Sequence, residues 1–191
     1  YGFVRVKCEK CHEEDLVAFS CKKRGFCPSC GGKQMAETSV HLVDNVIPSV
    51  PTRQWVLSFP YKTRYLLARK SYLVSKVLTI VLRVIDGYYQ RKAKALYKIK
   101  EIETGSVTLI QRFGGSINLN PHFHILYLDG VYGMKEGQAE FYKLPPLKEA
   151  ELKSIIEKIS YRIGRYLEKR GFLSDNTEDS DAYDNCLSSS M

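Results

Sequence analysis

The stretch that decides the fold is Asn118-Leu119-Asn120-Pro121-His122-Phe123-His124-Ile125-Leu126-Tyr127-Leu128, which Asp129-Gly130 ends. Its second half is rich in aromatic and branched side chains, a composition that predicts a β-strand. Residues two apart in a strand point to one face, so His122 and His124 present two imidazoles side by side and Phe123 points to the opposite face. Because neutral imidazole binds divalent metals, the pair predicts a metal site. Surface or hydrogen-bonded core histidines are the alternative.

Working outward, the flanking stretches alternate between strand and helix patterns. Runs of β-forming residues bounded by Pro or Gly predict three further strands, over residues 53–59, 107–113 and 139–143. Apolar residues at three- and four-residue spacing predict helices from Gln34 to Pro48, from Ser71 as a cap to Lys94, and from Leu147 to Arg170 with Gly171 in the stop position. This order favours an α+β fold with helices on one face of a sheet.

Four of the six cysteines form two Cys-x2-Cys pairs, Cys8 with Cys11 and Cys27 with Cys30, fifteen residues apart. Two residues between thiolates let a tight turn direct both sulfurs at one ion, and two such turns complete the tetrahedron that zinc prefers. The spacing predicts one structural Zn²⁺, and free or redox thiols are the alternative. Two nearby residues could replace one of the four ligands: Cys21 and His12.

The net charge of +8 is unevenly distributed along the chain. Residues 1–173 hold all 29 Lys and Arg but only 16 of the 21 acidic residues, which gives +13. This surplus favours a polyanionic partner such as nucleic acid, although many soluble domains are basic for solubility alone. The sequence contains no long uncharged apolar run that predicts a membrane span, and no pattern of a signal peptide. We therefore expect a bacterial cytoplasmic, nucleoid-associated protein without a membrane partner.

Several motifs taken together resemble one family. They are Phe19-Ser20-Cys21-Lys22, Arg24-Gly25-Phe26-Cys27-Pro28-Ser29-Cys30, Arg53-Gln54-Trp55-Val56-Leu57-Ser58-Phe59-Pro60, Gln111-Arg112-Phe113-Gly114 and Asn118-Leu119-Asn120-Pro121-His122-Phe123-His124-Ile125-Leu126. With them, residues 2–173 resemble the rolling-circle insertion-sequence transposases, which carry an N-terminal zinc-binding domain and a two-tyrosine nuclease domain of the HUH (His-hydrophobe-His) type. The resemblance implies DNA recombination by transposition.

The resemblance also implies a domain organisation. We expect a zinc-binding module over residues 1–47 and a partial HUH-type nuclease core over residues 52–173. The core is expected to be an antiparallel sheet of the ferredoxin or RRM kind, with helices on one face. An acidic tail over residues 174–191 is expected to be disordered.

The chemistry implied by the resemblance acts on the single-stranded ends of a DNA element. His122, His124 and a third polar ligand would hold Mg²⁺ or Mn²⁺ at the scissile phosphate, and a tyrosine would attack to give a phosphotyrosine intermediate. Gln111 is the favoured third ligand, because its strand is expected to neighbour the His strand. Three other residues stay open for this role: Asn118, Asn120 and Asp129.

The sequence does not identify the nucleophilic tyrosine. Family members carry paired catalytic tyrosines on a helix after the His strand, and we expect that helix to lie beyond residue 191, so that the chain is a fragment. Tyr161 and Tyr166 are lesser candidates, since five residues on a helix place them about 140° apart. Whether this chain is itself an enzyme therefore stays open. The alternatives are a zinc-containing DNA-binding protein without catalysis and a metal-dependent hydrolase of another kind.

Aromatic and basic residues also interleave in two places, over residues 61–65 and at Arg112-Phe113. This pattern suits single-stranded nucleic acid, because nucleobases stack on aromatic rings while lysine and arginine side chains contact phosphate. Core aromatics beside solvated charges would produce the same pattern.

Overall fold

The computed structural model describes residues 3–18, 28–114, 118–135 and 137–173, and backbone contacts divide the chain into two units between Ser49 and Val50. The side chains of a few residues at the edges of the first gap are not described either. Cys21 and Cys27 lie outside the described residues, as do Cys186 and the tail whose disorder the sequence predicts.

The first unit begins with an antiparallel hairpin of β1 (Phe3–Lys7) and β2 (Glu14–Ala18). Helix α1 (Pro28–His41) follows and continues into a π-helical turn (Leu42–Val46) that ends before Pro48. The predicted helix from Gln34 to Pro48 is therefore correct in type but begins six residues earlier. The hairpin was not predicted from the sequence, because β2, Glu-Asp-Leu-Val-Ala, does not alternate polar and apolar residues.

The second unit is organised around a three-stranded antiparallel sheet in the order β3-β6-β5. Its strands are β3 (Thr52–Leu57), β5 (Ser106–Phe113) and β6 (Leu119–Leu128), and β6 is the central one. A second three-stranded sheet has the order β4-β7-β8. Its strands are β4 (Ile102–Glu103), β7 (Gly130–Lys135) and β8 (Gln138–Lys143). The predicted strand at 139–143 thus exists, but in the second sheet.

Three helices complete the second unit: α2 (Tyr61–Arg69), α3 (Ser71–Tyr97) and α4 (Glu149–Lys169). Helix α2 packs against β6, α3 packs against β7, and α4 packs against α3. The core combines the inward residues of the sheet with the apolar stripes of α3 and α4, including Phe123, Ile125 and Tyr127 at no exposure. Mixed helices and antiparallel sheets are compatible with the predicted α+β class.

Helix α4 ends at the predicted glycine stop, whereas α3 extends three residues beyond the predicted Lys94, to Tyr97, and begins without the predicted cap. After α4 the chain turns through Gly171, whose φ of +70° suits glycine, and Phe172 N–H donates to the Leu167 carbonyl over 3.0 Å. The side chains of Phe172 and Leu167 both pack in the core, which completes a Schellman-type stop. Ser71 does not cap α3. It is the first residue inside the helix, and Lys70 at the cap position makes no side-chain capping bond.

The sequence patterns do not predict three elements of the second unit: α2, β4 and β7. Strand β4 has only two residues, and the local signals of α2 and β7 are ambiguous. The sequence pattern around Tyr61 and Tyr65 suggested contact residues, yet both lie on α2, which begins directly after Pro60. The sequence predicts a strand stop at Gly130, whereas this residue begins β7, where an added Cβ would lie 2.4 Å from the Tyr142 carbonyl oxygen. Glycine here allows two backbones to approach closely. No helix among the described residues is long and apolar enough to cross a membrane.

Candidate metal-binding site on the open sheet face

Strand β6 alternates between buried and partly exposed residues over the stretch that carries the histidines. Pro121, Phe123, Ile125 and Tyr127 are buried, whereas His122 and His124 are only partly buried. On β3 the same alternation directs Trp55 and Leu57 inward, towards the core. The histidines therefore share the outer face of the sheet, as the period of two predicts, and Phe123 lies on the inner face.

The two imidazole rings are neighbours in space. Their centroids are 5.0 Å apart, with an angle of 64° between the ring planes. His122 Nδ1–H donates to the backbone carbonyl of Asn120 over 2.7 Å, which places the proton on Nδ1 and leaves the Nε2 lone pair free for a metal. Gln54 Nε2 lies 2.9 Å from His124 Nδ1. The His122 ring is thus held as metal-binding histidines commonly are, by donation to an acceptor, whereas Nδ1 of His124 faces an amide nitrogen.

Three side chains stand beside the histidines on the neighbouring strands. Val56 of β3 and Leu109 of β5 lie opposite His124 on either side, and they are 60% and 54% exposed. Gln111 of β5 lies opposite His122, so its strand does neighbour the His strand. The register shifts between Gln111 and Phe113, and such bulges redirect side chains at strand ends. The histidines therefore lie between two exposed aliphatic residues and an exposed glutamine.

The other residues open for the third ligand are engaged elsewhere to different degrees. Asn120 Oδ1 accepts a hydrogen bond from Arg64 over 3.1 Å. Asp129 lies at the other end of β6, where both of its oxygens accept hydrogen bonds from Arg53 at 2.9 and 3.0 Å. Asn118 packs against Gly114, where an added Cβ would lie 2.3 Å from its Oδ1. Only Gln111 combines exposure with a position directly beside the pair.

No third acidic or sulfur ligand accompanies the histidines in the described ranges. Over those residues, no group of three or more His, Cys, Asp and Glu side chains could hold a metal ion. A cation at the pair would therefore take an amide oxygen, water or phosphate oxygen as its remaining ligands, which are the oxygen donors that Mg²⁺ and Mn²⁺ prefer. The two imidazoles alone do not complete a cation site.

The two tyrosines of α4 point in different directions. Tyr161 is 68% exposed, whereas Tyr166 packs against the core and lies under the Arg170 guanidinium, 5.7 Å from the ring centroid. One surface tyrosine and one packing tyrosine are what their spacing implies. They do not form a pair on one face of the helix.

The first cysteine pair lies in the turn of the β1–β2 hairpin. Cys8 and Cys11 are both exposed free thiols. Backbone N–H groups of Cys11 and Lys10 donate to the Cys8 sulfur and lower the pKa of that thiol, which favours the thiolate. His12 N–H donates to the Cys8 carbonyl over 2.9 Å, and His12 has a φ of +56°. A tight turn that directs backbone N–H groups at a sulfur fits a thiolate ligand of zinc.

The structure does not describe the side chains of the other predicted zinc ligands. Cys30 lies in the first turn of α1, but its side chain is not described, and Cys27 and Cys21 lie outside the described residues. The convergence of the two cysteine pairs on one ion therefore stays a prediction.

Sequence reasoning missed two residues that hold the histidines. Gln54 reaches His124 from β3, and Arg64 of α2 reaches Asn120, whose carbonyl holds His122. The alternation in β3 could have placed Gln54 on the face opposite Trp55. Its closeness to His124 depends on the register of two strands about 70 residues apart in the chain, which the sequence does not reveal.

Comparison with known proteins gives two matches, in separate stretches of the chain. Residues 1–59 match a family model described as "Transposase zinc-binding domain", and residues 105–190 match one described as "Putative transposase". Searches of curated proteins and of solved structures gave no match. The first stretch contains all four predicted zinc ligands, and the second contains Gln111, His122 and His124. The chain is therefore similar to transposases in both stretches, and to their zinc-binding domain in the first.

Proposed function

We propose that this chain is part of a transposase that nicks and rejoins single-stranded DNA in rolling-circle transposition. The observation that carries the proposal is the pair of neighbouring imidazoles on the open sheet face, within a stretch similar to a transposase family. The basic surplus of residues 1–173 supports a nucleic-acid partner, because lysine and arginine neutralise phosphate and release counterions.

In the proposed site, His122 and His124 bind a divalent cation through Nε2, and Gln111 is the third ligand. When bound, Mg²⁺ or Mn²⁺ would polarise the scissile phosphate and stabilise the charge that builds on its oxygens. The chain supplies the rigid support. Phe123 is buried on the other side of β6, and both rings are held through Nδ1.

The proposed reaction is covalent catalysis by a tyrosine. Its oxygen bonds to phosphorus as the bond to the 3′ oxygen breaks, so the tyrosine loses its proton and the released strand gains one as a 3′ hydroxyl. The 5′ phosphate stays on the tyrosine. Attack by another 3′ hydroxyl then reverses these steps and joins the strands, with no net hydrolysis.

Exposed aromatic residues support single-stranded DNA as the substrate. Tyr61 and Tyr65 on α2 are largely exposed, and so is Phe113 at the end of β5, next to Arg112. Aromatic rings with nearby cations favour unpaired bases, which can stack on them.

The first unit has a structural role in this proposal. Cys8, Cys11, Cys27 and Cys30 hold one Zn²⁺ that stabilises a segment too short to bury a core of its own. The turn around Cys8 and the match of residues 1–59 to a zinc-binding domain support this role. Lys7, Lys10 and Lys33 lie in the same unit and are suited to contact phosphate.

The experiment that tests the proposal incubates the chain with Mn²⁺ and single-stranded oligonucleotides of random sequence, labelled at the 5′ or the 3′ end. A protein adduct that carries the 3′ label, together with a shortened 5′-labelled product, supports the proposal. Retention of DNA without cleavage would instead support a zinc-containing DNA-binding protein. Cleavage to free 5′-phosphate ends without an adduct would indicate a hydrolase. His122→Ala is the control, because it should abolish either kind of cleavage.

An adduct would also locate the nucleophile. If this chain forms one, the tyrosine lies within it, and Tyr161→Phe and Tyr166→Phe show which residue is used. Adduct formation by both variants would direct the search to the remaining tyrosines.

A further inference from the structure

His124, on the outer face of β6, contacts a side chain of β3 that is not a candidate metal ligand. Gln54 Nε2 lies 2.9 Å from His124 Nδ1. Gln54 belongs to the neighbouring strand, where it stands opposite Leu126, so it reaches His124 diagonally across the sheet. This contact ties the orientation of one imidazole to the register of β3 and β6.

The two histidines are held by chemically different groups. His122 Nδ1–H donates to a backbone carbonyl, that of Asn120. A carbonyl only accepts, so it fixes the proton on Nδ1 and leaves Nε2 as the free lone pair. The partner of His124 is a side-chain amide, which can present either its nitrogen or its oxygen. Substitution of a single side chain can therefore remove the support of His124 but not that of His122.

We infer that Gln54 is a positioning residue whose amide orientation sets the tautomer of His124, an inference that rests on the proposed function of the His pair. With the amide nitrogen towards the ring, Nδ1 accepts a hydrogen bond and the proton lies on Nε2, the atom that would bind the metal. Rotation of the amide by 180° presents Oε1, which accepts from Nδ1–H and leaves the Nε2 lone pair for the cation. The amide orientation and metal binding are thus coupled.

This role differs from that of a third ligand. A side chain that accepts from Nδ1–H lies at Nδ1 of the ring, whereas the cation would lie at Nε2. Partners of this kind typically change metal affinity by about 10- to 100-fold when they are removed. Gln111, which lies opposite His122 on the other neighbouring strand, remains the candidate ligand.

The test measures Mn²⁺ binding to the zinc-loaded full chain by calorimetry, with His124→Ala as the blank for binding elsewhere. Gln54→Leu removes both hydrogen-bonding groups and should weaken Mn²⁺ binding by about tenfold or more. Gln54→Glu keeps an acceptor for Nδ1–H and should bind Mn²⁺ within a few-fold of the unaltered chain. Gln138→Leu is the matched control, an exposed glutamine on β8 of the other sheet, and should leave binding unchanged.

A second readout does not depend on any variant folding. Long-range proton–nitrogen NMR correlations of the unaltered chain report which ring nitrogen carries the proton. With saturating Mg²⁺, His124 should carry it on Nδ1. A proton on Nε2 of His124 under these conditions would mean that this nitrogen binds no cation, and it would overturn the proposed metal site and the role of Gln54 together.

The outcomes separate this inference from the proposed function. If the unaltered chain binds no more Mn²⁺ than His124→Ala, the proposed metal site fails, and the role of Gln54 fails with it. If the unaltered chain binds Mn²⁺ and Gln54→Leu binds it equally well, the metal site stands and only the role of Gln54 is refuted. Equal weakening by Gln54→Leu and Gln54→Glu would also refute it, because the acceptor would then not matter.

Discussion

The rings of Phe123 and Phe59 pack edge to face, with centroids 5.2 Å apart and planes at 78°. Phe123 lies between the two histidines in the chain, but on the buried side of β6 and without exposed surface. Phe59, which follows β3, is also buried. This contact anchors the histidine strand from within the core, so the geometry of the outer face depends on packing on the inner face.

Phe123→Ala should therefore strongly destabilise the second unit. Removing a fully buried phenylalanine forfeits its transfer free energy and leaves a cavity, which together cost about 3–5 kcal/mol. Urea denaturation measures the change in the free energy of unfolding. The control is Val56→Ala, on the outer face at 60% exposure, which should stay within about 0.5 kcal/mol. Similar losses for both variants would contradict the inner and outer assignment of the sheet faces.

The third ligand of the proposed cation can be identified by comparing two of its candidates. Gln111→Leu should weaken Mn²⁺ binding, because Gln111 stands opposite His122 on the outer face. Asp129→Asn should leave Mn²⁺ binding unchanged but lower the midpoint of thermal unfolding, because it disrupts the paired hydrogen bonds to Arg53. The opposite pattern would assign the ligand to Asp129.

A complementary variant tests whether the histidines serve the metal or the fold. Both rings are only partly buried, so His124→Ala should change the free energy of unfolding by about 1 kcal/mol or less. The same variant should lose Mn²⁺ binding. A large loss of stability with unchanged Mn²⁺ binding would make His124 a structural residue.

The parts of the fold that the sequence predicts are those with strong local periodicity. The stripe of α3, the stripe and glycine stop of α4, and the alternation around Phe123 all depend on spacing along the chain. The separation of His122 and His124 from Phe123 onto opposite faces follows from that alternation alone. Each of these predictions needs no knowledge of distant residues.

The parts that the sequence does not predict depend on pairing between distant residues. Gln54 meets His124, and Arg64 meets Asn120, only because β3, α2 and β6 come together in one register. Strand β7 is not predicted because glycine is typical of turns, whereas Gly130 is required here for the close approach of β8. Helix α2 is not predicted because its nine residues lie between two stronger sequence patterns, the prolines around β3 and the apolar stripe of α3.

Zinc content and its dependence on Cys11 test the first unit. Reduced, purified protein should contain about one Zn²⁺ per chain, measured by elemental analysis after dialysis. Cys11→Ser should retain little of it, because the turn at Cys8 loses its second sulfur, whereas Cys186→Ser, outside both pairs, should retain it all. Zinc-free unaltered protein would contradict the site, and so would a Cys11→Ser variant with full zinc content.

The ion pair between α3 and α4 should make stability depend on pH. The backbone N–H of Lys148 and the Lys92 ammonium, 2.8 and 2.9 Å from the Glu151 carboxylate, lower the pKa of Glu151 from 4.5 to about 2. Since the pKa is lower in the folded state, the stabilisation is complete above pH 4.5 and is lost as the pH falls towards 2. The Glu151 side chain is 29% exposed, so solvent screening keeps the effect modest, at about 1 kcal/mol.

Glu151→Gln should therefore be less stable than the unaltered chain at pH 7, and the difference should shrink as the pH falls from 4.5 to 2. Chemical denaturation at a series of pH values measures it. Glu157→Gln, at an exposed position on the same helix, is the matched control and should show a smaller difference with no such trend. A Glu151→Gln difference that is constant from pH 7 to pH 2 would mean that the carboxylate charge does not contribute.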